Sequence, residues 1–185
     1  MNAFTVVLAV VGGLVALVVV VAVVFFGWIR WRNRRGLARQ RYEIPSFPAW
    51  AQERGLSYTE FDNEPLEGME EYAPFRNFAT PGAFCRAFHV FEGNHAGHDI
   101  AVMQLTVYAA PHPDTPASAR MTVATTRLHR TVADAVIAPE RRGLPSVHAR
   151  GERATSYLSG PLTLARAEAV ADRLAAYAEG VRQAA

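Results

Sequence analysis

Lysine is missing altogether, so every one of the 19 basic side chains is arginine. Together with abundant alanine, that bias marks a GC-rich bacterial coding sequence and carries no mechanism. Cysteine is nearly missing too. Cys85 stands alone, which excludes an internal disulfide and a cysteine-based zinc site and fits a reducing cytosol. There is no Gly-x-Ser-x-Gly elbow; around Ser159 the two glycine positions hold Tyr157 and Pro161. A glycine-rich phosphate loop, a dinucleotide fingerprint and a His-Glu-x-x-His helix are equally missing. Adjacent carboxylates such as Glu70 and Glu71 diverge on a helix, so they form no catalytic pair. Catalysis has no constellation to point to, and no cofactor is implied.

Charge of either sign is lacking before Arg30, and acidic residues are lacking before Glu43. From Phe4 to Ile29, Val, Leu, Ala and Phe fill nearly every position. At about 1.5 Å rise per residue this run is long enough, as a helix, to cross a hydrocarbon core of about 30 Å. Only a helix pairs every backbone amide of a single span internally, which overrides the strand preference of its valines. A cleaved signal peptide would want a basic start, a shorter apolar core and a small-residue cleavage site, none of which fits. Arg30, Arg32, Arg34, Arg35, Arg39 and Arg41 all follow the run. By the positive-inside rule the N-terminus lies outside and the C-terminal domain in the cytoplasm of a single-pass bacterial membrane protein. Trp28 and Trp31 are expected at headgroup level. The arginine collar sets topology first, and each residue can also hold anionic lipid headgroups with about 1 kcal/mol. Gly12 and Gly13 form small-xxx-small pairs with Ala16 and Ala9, a pattern open to homodimer packing of the helix.

The expected divisions are a transmembrane helix with its interfacial end over 1–32, an Arg-rich linker over 33–45, and a soluble domain over 46–185. That domain has enough residues for its own core. Its acidic residues outweigh its basic ones, which argues against nucleic acid. Pro45 and Pro48 end the juxtamembrane helix, Ser46 is placed to cap a short helix through PAWAQER, and Gly55 stops it. LSYTEF alternates as a strand, and LEGMEEY is at most a short helix. Runs from Phe84 to Glu92 and from Asp99 to Ala109, around Gly93, Asn94 and Gly97, carry a β-hairpin signature. Ala101, Met103, Leu105 and Val107 share one face of its second strand. APHPDTPAS reads as an exposed loop, ARMTVATTRL as a third strand completing a meander, and ADAVIAPE as a short strand ended by Pro139. Leu164, Ala167, Val170, Leu174, Tyr177 and Val181 trace an apolar helical stripe, with Thr163 as its cap. The expected class is α+β: an antiparallel sheet packed by a C-terminal helix.

His89, His95 and His98 cluster around the hairpin and are the candidate metal ligands, since imidazoles suit Zn, Ni or Cu. Convergence requires a particular register, and loop histidines are more often polar turn residues. Cys85 and His89 are about 13 Å apart along a strand at 3.3 Å per residue. That is too far for a nucleophile and base.

Ala51-Gln52-Glu53-Arg54-Gly55-Leu56-Ser57-Tyr58, Gly93 with Gly97, and Val136-Ile137-Ala138-Pro139-Glu140 follow one another along the chain as a series of short, unspecific motifs. In that order the chain resembles a group of actinobacterial single-span membrane proteins with a cytoplasmic α+β domain of uncharacterised function. The resemblance covers most of the chain and implies no catalytic residue. The expectation is a non-catalytic, membrane-anchored domain binding a partner protein, for which an exposed apolar patch on the hairpin or final helix would speak. The alternative is a small-molecule or metal sensor at the histidine-bearing hairpin, marked by a polar pocket there. An enzyme of another type comes third.

Overall fold

The computed structural model describes residues 3–66, 69, 75, 84–109, 117–141 and 143–184, with side chains at 17–28, 31 and from 34 onward within those ranges. The chain divides into two compact units, Met1–Ala38 and Arg39–Ala185.

The first unit is helical. Helix α1 (Ala3–Glu43) takes up all its described residues and ends in the second unit. Leu17 to Phe26 expose their apolar side chains, and the Arg35 guanidinium stacks 3.7 Å from the Trp31 ring, one turn away. Among the described residues no helix is long and apolar enough to cross a membrane. The small-residue pairs at Gly12 and Gly13 lie outside the described side chains.

In the second unit, Pro45 falls in a single 3-10 turn, Ile44–Ser46, that breaks α1 from helix α2 (Phe47–Glu53). The Ser46 hydroxyl donates back to the Glu43 carbonyl at 2.6 Å and does not cap α2 as expected. Gly55, at φ +68°, turns the chain into strand β1 (Ser57–Phe61). Strands β2 (Phe84–His95), β3 (His98–Tyr108), β4 (Ala117–Ala138) and β5 (Ser146–Ser159) follow. They form one antiparallel meander in the order β1-β2-β3-β4-β5. The β2–β3 turn is only Ala96-Gly97, at φ +51° and +84°. Positive φ at both positions matches the twist of a two-residue hairpin, so the strands run closer to the tip than the glycines at 93 and 97 suggested.

Two expectations are corrected here. ADAVIAPE is not a separate strand but the outer part of β4, which runs unbroken to Ala138. Strand β5 was not anticipated, because SVHARGERATSYLS is too polar and too interrupted to show a clean two-residue alternation. The β4–β5 pairing shifts register between Arg127 and Val132, and Gly151 takes φ +58°. There the arm doubles back. Thr155 Oγ1 reaches the His148 carbonyl at 3.5 Å, and the Glu140 carboxylate accepts from the Ser159 hydroxyl at 2.7 Å. A straight strand would hold these pairs far apart. The segments LEGMEEY and APHPDTPAS lie largely outside the described residues.

Helix α3 (Leu164–Gln183) starts where expected, with Thr163 Oγ1 accepting from Arg166 N–H. Its stripe Ala167, Val170, Leu174, Ala178 packs with α2 on one sheet face, against Phe91, Val102, Ala124, Ala149 and Leu158. Each large apolar side chain buried there contributes about 1.5–3 kcal/mol. On the other face Ala87, Val90, Met103, Leu105, Val107, Met121 and Val123 form a second cluster with Met69 and Phe75. A buried polar seam joins the end of α1 to this body. Gln104 Oε1 accepts from Gln40 Nε2 at 2.6 Å and from Leu162 N–H at 3.1 Å, and Glu43 accepts from Leu164 N–H at 2.7 Å.

Candidate functional site: a charged cleft beside the hairpin

Strand pairing decides which side chains meet. Glu92, Ala101, Thr125 and Thr155 lie in one row across β2, β3, β4 and β5. They fall on the face away from α3, next to the second apolar cluster but nearer the hairpin. Two residues on, on the same face, Arg127 and Arg153 are directly opposed. Continuing the register past the Ile100–Thr126 pair sets Asp99 level with Arg127. Glu64, Glu92, Asp99, Ala101, Thr125, Arg127 and Arg153 line a cleft of about 570 Å³, with Thr155 buried beneath. That volume lies within the range of small-molecule sites.

The walls differ in charge. Arg127, His129 and Arg153 stand toward β4 and β5, while Glu64 and Glu92 stand toward β1 and β2. Burial pushes the Glu92 carboxyl above its ordinary range, and the charges of Asp62 and Glu64 push the same way. Arg127 is exposed to solvent, which screens its repulsion with Arg153. Gly93 keeps this end compact: a Cβ there would lie 3.0 Å from the Leu56 side chain and 3.2 Å from the Gly55 carbonyl.

Of the three histidines only His98 borders this cleft, and the three do not converge. His89 sits in a β-bulge between Phe88 and Phe91, at φ +53°. The bulge turns it into the aromatic cluster of Phe47, Tyr58 and Phe91, away from Cys85, which packs with the second cluster. Its Nδ1 lies 2.9 Å from the Tyr58 hydroxyl. Burial lowers the His89 pKa, against the opposing pull of Glu60, and burial followed by Glu60 raises that of Tyr58. Both shifts favour a neutral ring that accepts a hydrogen bond from a neutral Tyr58 hydroxyl. His95 Nε2 meets Asp172 of α3 at 2.8 Å. His98 is buried beside Glu179, 3.6 Å away. Among the described residues no three His, Cys, Asp or Glu side chains are gathered closely enough to hold a metal ion.

Of the membrane-facing candidates, Trp28, Trp31, Arg34, Arg35, Arg39 and Arg41 are exposed, and Arg39 pairs with Glu43 at 2.6 Å. The side chains of Arg30 and Arg32 lie outside the described ones. Sequence reasoning missed Glu92, Arg127 and Arg153 as a group. Arg153 lies on the unanticipated strand, and only the register opposes it to Arg127. No family model, curated protein or solved structure matches the chain.

Proposed function

We propose that the chain is a membrane-anchored domain that senses a small polar molecule in the cleft beside its hairpin and carries out no catalysis of its own. The single observation that carries this reading is the cleft itself. It is polar, of ligand size, and lies at the hairpin where a sensor was expected to have its pocket. The anchor rests on the sequence: the uncharged run from Phe4 to Ile29, with six arginines behind it, favours one span with the domain in the cytoplasm. The collar would then lie against anionic headgroups.

Native mass spectrometry of the full chain, released from its membrane in nanodiscs, tests the reading. A retained small molecule is expected on the wild type and its loss on Thr125→Trp, which fills the cleft floor. A bare wild type, or an adduct unchanged in the variant, overturns it.

A second reading, binding of a protein partner, is favoured by one other place. Val136, Ile137 and Leu144 on the β4–β5 arm are about half exposed or more. The hairpin tip and the outer face of α3 are polar by contrast. Photo-crosslinking from Leu144 in cells would capture that partner.

A further inference from the structure

We propose that the end of the second unit at which α1 joins it is a docking surface for anionic lipid headgroups, formed by Arg41, Arg86, Arg120 and Leu144. This rests on the reading of the chain as membrane-anchored and adds the surface of the domain that meets the bilayer.

Strand register gathers the surface. Gln40 of α1 donates to Gln104, whose own amide donates to Thr106 Oγ1 at 3.3 Å. Thr106 is level with Arg86 on β2 and with Arg120 on β4, so the two arginines flank the strand on which α1 lands. Two residues further out, Phe84 and Tyr108 stack with ring centres 4.9 Å apart, and the Arg86 guanidinium lies 5.2 Å from the Phe84 ring. The β4–β5 arm returns to the same end from the far edge of the sheet. Glu140 accepts from the amide and the hydroxyl of Ser159, and the Arg120 carbonyl accepts from Gly160 N–H at 2.8 Å. Just past Glu140, Arg141 and Leu144 exchange backbone hydrogen bonds and close a turn that leaves Leu144 67% exposed.

Charge and attachment select the occupant. Among the described residues here, Arg39, Arg41, Arg86, Arg120 and Arg141 outnumber Glu43 and Glu140. Glu43 is engaged by Arg39 and Leu164 N–H, and Glu140 by Ser159. The hairpin end instead presents Asp99 and, from α3, Asp172 and Glu179. Arg39 follows Trp31, the expected headgroup anchor, by eight residues. That tether spans about 28 Å even when fully extended, so it keeps this end of the domain within reach of the bilayer. Arginines attract anionic headgroups, while aromatic rings and a projecting leucine suit the boundary between headgroup and acyl chain.

Lipid crosslinking tests this on the full chain, with p-benzoylphenylalanine placed at Leu144 or, as control, at Ala176, an exposed position of α3. Each protein is reconstituted in nanodiscs of phosphatidylcholine, with or without phosphatidylglycerol, and its lipid adducts are measured by mass spectrometry after illumination. Adducts are expected from Leu144 and not from Ala176. Anionic discs should raise them about fivefold or more, the shift that one basic residue near such a surface supplies. The double variant Arg86→Gln, Arg120→Gln should lose that excess. An unchanged melting temperature confirms its fold; where it does not fold, the two disc compositions on the wild-type background decide. Equal yields in the two discs, equal yields from the two positions, or a folded variant that keeps the excess overturn the docking surface. Capture of a protein instead of lipid from Leu144 in cells overturns it too. Alkaline carbonate extraction separates the two levels. A chain that washes off the membrane sinks the anchor and the docking surface together, whereas one that stays embedded without lipid adducts at Leu144 sinks the docking surface alone.

Discussion

On the helix side of the sheet, Phe91, Val102, Ala124 and Leu158 meet Val170, Leu174 and Ala178 of α3, and nearly all are closed to solvent. On the opposite side the apolar rows of Met103, Leu105 and Val123 give way, toward the hairpin, to Glu92, Thr125 and Arg127. Both faces arise from the same alternation along the same strands. The difference is in what covers them. Where two helices supply matching apolar stripes, the apolar positions are held by packing. Beyond the second cluster, the same pleat presents charged side chains to an open cleft. The lesson is that one strand can serve as core along one part of its length and as the wall of an open cleft along another.

The comparison breaks most visibly through truncation. Leu174→Ala, at a fully buried position of α3, is expected to cost about 2–5 kcal/mol, the transfer loss plus the cavity. Thr125→Ala on the cleft floor removes one long hydrogen bond to the Ala154 carbonyl and should cost no more than about 1 kcal/mol. Urea unfolding of both variants measures the contrast. Equal losses would mean that the cleft side is packed as tightly as the helix side.

A smaller effect tests the polar seam at the margin of the helix side. Gln104 is almost fully buried and accepts from both Gln40 and Leu162. Gln104→Leu leaves these donors without their acceptor, at about 1–3 kcal/mol. A loss below about 0.5 kcal/mol, read from the same unfolding curves, would show that water reaches the seam, because hydration then replaces the lost bonds.

Much of this architecture was legible in the residues. The α3 stripe, the Thr163 cap, the hairpin and the shared face of Ala101, Met103, Leu105 and Val107 all follow from periodicity, because one face of each element is buried against a partner. Strand β5 was not legible, since half of its residues are polar and its fold-back at Gly151 interrupts the alternation. The cleft was legible only in fragments. Glu92 and Arg127 are visible as charges, but nothing local brings them to one cleft; register over three strands does that. The histidines illustrate the opposite error. Nearness in sequence suggested a shared site, and a single bulge at His89 together with a two-residue turn sends the rings to Tyr58, Asp172 and Glu179 instead.

The smallest expected effect is a change of slope with pH, and it separates the two faces in another way. His89 lies in the sealed layer, and its folded pKa is lowered below the ordinary 6.5, with burial as the leading cause. As pH falls below 6.5 the unfolded chain takes up this proton before the folded one does. Stability due to His89 is thus fully present above 6.5 and is lost as pH falls toward the folded value. A protonated Nδ1 can no longer accept from the Tyr58 hydroxyl, so the loss is felt at β1. His89→Asn keeps an acceptor near Tyr58 and tolerates the positive φ better than most residues do. Below pH 6.5 its unfolding free energy should fall less steeply than that of the wild type. Glu92, in the cleft, works with the opposite sign: its raised carboxyl pKa removes stability as pH climbs from 4.5 toward the folded value. Because Glu92 titrates in both proteins, the difference between the two curves isolates His89. Parallel curves would mean that the sealed layer admits water at the bulge, and that the two faces of the sheet are less different than their packing makes them.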